Sequence, residues 1–291
     1  MFRLATVMVG LVLAATAASA SPLGPDGERG RRLAGKFIWF DLATEDPAAA
    51  RTFYGAVFGW KFRDVPGTAA PYTLIERAGA KVGGLFRRAR PAGATVGARW
   101  LSLLSVGDAA KTEQEVLRKG GQVVVAPVFV AGRGTHAVFR DPEGAVFGVL
   151  AAVDGDPPDT PVIEGQVFWL DLFARDPAKA ADFYAGLAGY EVFTGQAAPG
   201  RERRTLAAGG YARAGVVALP KDVANPGWLP YVLVDDVDAA LVRARQAAGR
   251  IVLAPRPDLL DGNVAIIADP SGGVVGVVNW IVPGDAARSG S

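Results

Sequence analysis

Hydrophobic and polar residues follow two alternating patterns along this chain, one typical of strands and one typical of helices. Residues 37–42, FIWFDL, are apolar except for Asp41, which is typical of a strand covered on both faces. Asp46 and Pro47 then fit the cap and first turn of a helix that ends at Gly59. Its apolar stripe comprises Phe53, Tyr54, Val57 and Phe58. Shorter strands are predicted at residues 60–65, 72–77 and 81–88, which completes a β-α-β-β-β unit.

This unit recurs. Seven residues return at an offset of 130: Trp39, Asp41, Asp46, Pro47, Phe53, Tyr54 and Gly59 match Trp169, Asp171, Asp176, Pro177, Phe183, Tyr184 and Gly189. A second β-α-β-β-β pattern at residues 99–152 returns at an offset of 128, and each copy contains a D-P-x-G turn, at 141–144 and 269–272. The sequence therefore predicts four modules in two pairs.

Composition sets the expected boundaries. They are a signal peptide at 1–20, a flexible leader at 21–33, a first domain at 34–153, a linker at 154–161, a second domain at 162–282 and a disordered tail at 283–291. Arg3, an apolar run from Leu4 to Ala15 and the small residues 18–20 are typical of a cleaved secretory signal. We therefore expect an exported protein, periplasmic or secreted.

Charge and cysteine content exclude several function classes. The 31 Lys and Arg nearly balance the 29 Asp and Glu, so neither nucleic acid nor a membrane is an expected partner of the mature protein. The clusters Arg87-Arg88 and Arg201 to Arg204 are interpreted as solvated loop charges rather than as an anion site. The absence of cysteine excludes disulfides and thiolate chemistry. With 291 residues, the chain suits two domains that are each long enough to bury a core, and the sequence does not determine the oligomeric state.

A four-stranded sheet with one helix leaves one face uncovered, so two modules are expected to pair into one domain. The predicted fold is α+β, with four βαβββ modules paired into two open barrels. Strict alternation would place Ile38, Phe40 and Leu42 toward the helix. It would place Phe37, Trp39 and Asp41 in the concavity, a plausible site for a small molecule.

The module order, the D-P helix start, the F-Y and G-[WY] helix end and the D-P-x-G turn resemble the vicinal oxygen chelate superfamily. That superfamily contains glyoxalase I, extradiol dioxygenases and bleomycin-resistance proteins, and the sequence is most similar to its tandem glyoxalase-like members. The resemblance implies a divalent metal held by His or Gln on the first strand and Glu near the end of the last strand of each module. The ligand positions implied on the first strands carry Trp39, Leu101, Trp169 and Leu229 instead. Gly148 and Gly276 stand where two of the Glu residues are expected, and neither 82–86 nor 213–217 contains Glu. We expect no metal and no cofactor.

Trp39 and Trp169 either fill the core in place of a metal or form stacking walls for a planar ligand. Asp41 and Asp171, two residues further along the same face, are either structural acceptors or groups that orient a ligand or act as a general base. The same count puts Tyr231 near Asp171. The ligand-binding candidates are therefore Trp39, Asp41, Trp169, Asp171 and Tyr231.

His136 is the single histidine and has Val264 as its counterpart. It is interpreted either as a surface or hydrogen-bonded strand residue or as a proton carrier in the cavity. The candidate catalytic residues are Asp41, His136 and Asp171.

Three functions remain open from the sequence. The leading hypothesis is an exported protein that binds a small aromatic or planar molecule without metal, and is not a metal-dependent enzyme. The alternatives are a divergent lyase, isomerase or dioxygenase with an unusual site, and an interaction module with filled cavities.

Overall fold

The computed structural model describes residues 23–68, 70–90, 92–93, 96–198 and 201–280. The predicted signal peptide and the predicted tail lie outside these residues. In the described part of the chain, no helix has the length and apolarity needed to cross a membrane.

The first half contains two modules in the predicted order. The first consists of β1 (Phe37–Thr44), α1 (Pro47–Phe58), β2 (Lys61–Val65), β3 (Tyr72–Arg77) and β4 (Ala80–Arg87). The second consists of β5 (Ala98–Ser105), α2 (Ala109–Arg118), β6 (Gln122–Val130), β7 (Gly134–Arg140) and β8 (Val146–Ala152). Asp46 and Asp108 cap the two helices through their side chains, as the sequence predicts.

The second half repeats this order. Its third module consists of β9 (Val167–Ala174), α3 (Pro177–Ala188), β10 (Glu191–Ala198), β11 (Arg201–Ala208) and β12 (Tyr211–Ala218). The fourth consists of β13 (Gly227–Leu233), α4 (Val237–Gln246), β14 (Arg250–Leu253), β15 (Val264–Ala268) and β16 (Val274–Val278). A single 3-10 turn, Leu260–Gly262, precedes β15.

Each pair of modules forms one eight-stranded mixed sheet. The strand orders are β2-β3-β4-β1-β5-β8-β7-β6 and β10-β11-β12-β9-β13-β16-β15-β14. The two modules of a pair join where their first strands run antiparallel, β1 beside β5 and β9 beside β13. The sheets do not close, so the predicted α+β fold with two open barrels is confirmed.

The helices form a layer that the two sheets share. Helix α1 packs against α4, and α2 packs against α3. One apolar core accordingly combines Phe53 and Trp60 of the first half with Leu241 and Ile267 of the second. Each half also buries an apolar cluster of its own on the other face of its sheet, so the core of each domain is partly its own and partly shared. A helix with apolar residues on more than one side gains more burial by packing between two sheets.

Two reciprocal hydrogen bonds cross this shared layer. The Tyr54 hydroxyl donates to Asp269 Oδ2 at 3.0 Å, and the Tyr184 hydroxyl donates to Asp141 Oδ2 at 3.2 Å. Each aspartate also closes its own D-P-x-G turn, because Asp141 Oδ1 accepts two backbone N–H groups at 2.9 Å. The turn role predicted for these aspartates is correct, but each one also ties its turn to the helix of the other half. Burial raises the pKa of Asp141 and Asp269, and the turn N–H groups oppose that shift.

The predicted leader and linker pack against each other. Leu23 is buried, and the backbone N–H of Glu28 donates to the carbonyl of Asp156. The Asp156 side chain is fully buried and accepts bonds from Leu33 N and Ser105 Oγ, both at 2.6 Å. Residues 23–33 thus have buried and hydrogen-bonded contacts with the linker, and the flexibility of the leader stays a prediction. Sequence composition does not record a partner that is about 120 residues away along the chain.

The Tyr184→Phe variant tests the shared layer. We expect its free energy of unfolding to fall by about 1 to 3 kcal/mol, because Asp141 and the Trp228 indole N–H both lose a buried partner. Urea unfolding followed by circular dichroism measures this change. The control is Tyr211→Phe, which alters an exposed tyrosine. Equal stability of the two variants would show that the cross-domain bond contributes nothing.

Candidate functional site

The inner face of each sheet, on the side away from the helices, carries a Trp–Asp pair on its central strand. Trp39 Nε1 donates to Asp41 Oδ1 at 2.9 Å, and Trp169 Nε1 donates to Asp171 Oδ1 at 2.8 Å. Residues two apart on a strand share a face, which explains both contacts. The structure thus brings together each predicted Trp–Asp pair.

A β-bulge corrects the predicted facing of the residues before Trp39. The register of β1 on β5 shifts between Phe37 and Trp39. Phe37 consequently packs in the helical core, and Ile38 joins Trp39 on the inner face. The predicted facings of these two residues are wrong because a bulge inserts one residue and breaks strict alternation. Phe40 and Leu42 pack in the helical core as predicted.

The inner face of the first sheet is filled. Trp39 is 0% exposed and lies in a cluster of apolar residues, Ile38, Leu74, Leu103, Leu150 and Ala152. Arg133 enters from the turn between β6 and β7 and forms a buried ion pair with Asp41. Arg133 also donates to the Tyr72 hydroxyl at 2.9 Å, which in turn donates to Asp41 Oδ1 at 2.6 Å. The predicted ligand-binding role of Trp39 and Asp41 does not fit this packing.

His136 lies on β7 beside this network. Its Nδ1 atom is buried and has no hydrogen-bond partner among the described residues. Burial and the Arg133 charge lower the pKa of His136, and Asp41 opposes them. Asp171 belongs to the other sheet, so the three candidate catalytic residues do not form one constellation.

The inner face of the second sheet is open. A cavity of about 2090 Å³ is lined by Trp169, Asp171 and Tyr231, the three candidates predicted for this half, and extends to Ile38, Lys81 and Val82 of the first half. Arg203 completes the group through a salt bridge with Asp171. Its guanidinium lies 5.5 Å from the centre of the Trp169 ring. Burial, the Asp171 charge and a hydrogen bond to Asp171 raise the pKa of Tyr231, so its hydroxyl stays protonated.

The position of one arginine explains why one face is filled and the other is open. At the repeat offset of 128, Asp261 is the counterpart of Arg133, and it is exposed on the 3-10 turn. Arg203 instead occupies the strand position that corresponds to Tyr72 of the first half. Tyr72 pairs with Phe86 of the neighbouring strand, and Arg203 pairs with Val217 in the equivalent register. The counterpart of Arg133 therefore does not cross the second face as Arg133 crosses the first.

Sequence reasoning missed Arg133 and Arg203. Arg203 was assigned to a cluster of solvated loop charges, but it lies on β11 and its side chain is only 23% exposed. The alternation of β11 was the available signal, since it places Arg203 and Thr205 on the same face. Arg133 follows a glycine in a turn, and no local pattern indicates that it reaches the inner face.

The chain between the two sheets supplies another wall of the cavity. Arg213 pairs with Asp159 of the predicted linker through two bonds, at 2.6 and 2.9 Å. Lys36 also pairs with Asp159, at 3.1 Å. Phe168 and Trp280 meet with ring centres 5.5 Å apart and add apolar surface.

Comparisons with known proteins agree with this architecture. Residues 38–150 match the family described as "Glyoxalase-like domain". Residues 166–277 match the "Glyoxalase/Bleomycin resistance protein/Dioxygenase superfamily". The chain belongs to this superfamily.

Two superfamily relatives cover most of the chain. "Putative glyoxylase CFP32" of Mycobacterium tuberculosis is 29% identical over 244 residues, which are 82% of this chain and 93% of that protein. "Anthracycline biosynthesis protein DnrV" of Streptomyces peucetius is 30% identical over 270 residues, 87% of this chain and 96% of that protein. The Mn(II)-bound glyoxalase of Novosphingobium aromaticivorans is similar in fold, with a TM-score of 0.58 and 18% identity, over 85% of this chain and 82% of that one.

The metal site implied by this superfamily does not fit the residues present. Glycine occupies the equivalent place on the last strand of all four modules, paired with Asp41, Leu103, Asp171 and Tyr231. A Cβ atom at Gly276 would lie 2.1 Å from the Tyr231 ring, and one at Gly215 would lie 2.2 Å from Asp171 Oδ1. The described residues contain no group of three His, Cys, Asp or Glu side chains that could hold a metal. An ion pair and aromatic rings occupy the centre of each face instead.

The ion pairs of the two faces are expected to differ in their effect on stability. Arg133→Met leaves Asp41 buried without its cation and should lower the free energy of unfolding by about 3 to 5 kcal/mol. Arg203→Met should lower the free energy of unfolding by a smaller amount, because the ion pair of Arg203 with Asp171 borders the open cavity. Urea unfolding compares the two variants. The double variant Asp41→Asn with Arg133→Met should recover part of the free energy of unfolding that Arg133→Met loses. The prediction is wrong if Arg203→Met is the more damaging change.

His136 should make stability depend on pH. Its pKa is lower in the folded state than the unfolded value, so the unfolded chain binds more protons as the pH falls. We therefore expect the free energy of unfolding to fall as the pH decreases from about 7 through the pKa that His136 has in the folded state. That pKa lies below the usual His value of about 6.5. His136→Val should flatten this dependence. Urea unfolding between pH 7 and pH 5 measures the change in the free energy of unfolding. NMR titration of the single histidine measures its pKa in the folded protein.

Proposed function

We propose that the protein binds a small planar aromatic molecule in the second inner face, without a metal held by that face. The first inner face then has a structural role and does not bind the ligand. The observation that supports this most directly is the contrast between equivalent tryptophans. Trp39 is fully buried, whereas Trp169 is partly exposed and lines a cavity of about 2090 Å³.

The walls of the cavity suit an aromatic ligand. Phe168, Trp169, Phe173 and Trp280 all line it. Aromatic side chains contribute large apolar contact areas and favour stacked or edge-on packing of a ring. The names of two relatives, DnrV and DauV, place them in anthracycline biosynthesis, which is consistent with an aromatic ligand class.

The polar group at the centre favours binding over proton transfer. Asp171 Oδ1 accepts hydrogen bonds from Trp169 and Arg203, so this oxygen is already engaged. Tyr231, with its raised pKa, holds its proton and can donate it in a hydrogen bond. This group is better suited to orienting a polar substituent of a bound molecule.

Binding can be tested with N-phenyl-1-naphthylamine, a neutral planar probe that fluoresces in apolar sites. We expect saturable binding of one probe per chain, with quenching of tryptophan fluorescence. Trp169→Leu should weaken binding about 3- to 10-fold, which corresponds to the loss of one aromatic contact. The matched control, Trp39→Leu, alters the filled face and should lower stability without changing affinity.

Two results would contradict the proposal. One is the absence of saturable binding to the folded wild-type protein. The other is an equal loss of affinity in both variants, with circular dichroism showing that both remain folded.

A further inference from the structure

Arg203 has hydrogen-bonding capacity that its neighbours do not use. Among the described residues it bonds only to Asp171, through one terminal nitrogen, and its Nε atom is buried without a partner. Arg133, in the filled face, uses both terminal nitrogens, one on Asp41 and one on Tyr72. Arg203 thus has a second terminal nitrogen without a described partner, and the residue lines the open cavity.

Asp171 does not depend on Arg203 alone. It accepts from Trp169 Nε1 at 2.8 Å. This donor stabilises the carboxylate when Arg203 also contacts a second acceptor. A planar guanidinium presents donors on more than one edge, so it can bridge two oxyanions.

Basic side chains also outnumber acidic ones among the residues that line the cavity, and two of the basic ones, Arg201 and Arg256, pair with Asp258. Eight basic side chains line it: Lys36, Lys81, Arg201, Arg203, Arg204, Arg213, Lys221 and Arg256. Six acidic side chains line it: Asp26, Asp159, Asp171, Asp176, Glu202 and Asp222. One carboxylate, Asp159, is shared by Lys36 and Arg213, which leaves an excess of positive charge on that wall. An excess of one sign in a concave site attracts ligands of the opposite sign.

We propose, on the basis of the proposed function, that the aromatic ligand carries an oxyanion, such as a carboxylate or sulfonate, and that Arg203 binds it. The second terminal nitrogen of the guanidinium provides the charge-assisted hydrogen bond, and the aromatic walls hold the ring. Charge-assisted bonds of this kind are about twice as strong as neutral ones, so the anionic group decides which planar molecules bind tightly.

A matched pair of probes tests this assignment. N-phenyl-1-naphthylamine and 8-anilinonaphthalene-1-sulfonate share the same ring system, and only the second carries a sulfonate. We expect wild-type protein to bind the sulfonate about tenfold more tightly, as one charged hydrogen bond would predict. Arg203→Gln should abolish this preference, which is the ratio of the two affinities measured on the same variant. Arg203→Lys, which keeps the charge, should retain part of the preference.

Three further variants keep the test decisive. Arg63→Gln removes an exposed arginine outside the cavity, paired with Glu76, and should change neither affinity. The double variant Asp171→Asn with Arg203→Gln avoids leaving the Asp171 carboxylate buried without its cation. Loss of the preference can therefore be measured even if Arg203→Gln alone unfolds. Arg213→Gln removes the cation of the other wall and should reduce the preference less than Arg203→Gln does.

The outcomes separate this inference from the proposed function. Failure of both probes to bind would overturn the proposed function. Binding of both probes with equal affinity would overturn only the oxyanion assignment. A preference that survives Arg203→Gln but disappears in Arg213→Gln would also overturn the assignment of Arg203.

Discussion

The hydroxyl groups of Tyr54 and Tyr184 connect the two halves of the molecule, and the rest of the architecture depends on these contacts. Each donates to the aspartate that closes a D-P-x-G turn of the other half, and each accepts an indole N–H, from Trp100 or Trp228, at 3.0 Å. The bonds join the helical sides of the two sheets. Both inner faces therefore lie away from the shared core, and each can be filled or left open without disturbing it.

The duplicated halves use the same kinds of residue in different places. Each inner face contains a tryptophan, an aspartate, an arginine and a tyrosine, but arginine and tyrosine come from different strands or turns in the two halves. Arg133 crosses the first face and is buried with Asp41. Arg203 approaches Asp171 from within the sheet and leaves the second face accessible. A cation next to the central carboxylate thus stabilises the core in one half and borders a cavity in the other.

Much of the fold could be predicted from local patterns. The helix caps at Asp46 and Asp108, the turn at Asp141 and the pairing of modules all follow from residue types at short spacing. The contact of Trp39 with Asp41 also follows, because residues two apart share a face of a strand. The bulge at Ile38 did not follow, since nothing in FIWFDL distinguishes an inserted residue from a regular one.

The sequence by itself determined that the chain is a duplicated glyoxalase-like fold and that the expected metal ligands are replaced by tryptophan, leucine and glycine. These properties depend on residue identity and on short or repeated spacing. Only the tertiary structure decided that Trp39 is buried and Trp169 lines a cavity, and that Arg133 and Arg203 are the partners of the two aspartates. Arg133 is 92 residues from Asp41, so their ion pair depends on how the strands and turns are assembled, which no local pattern encodes.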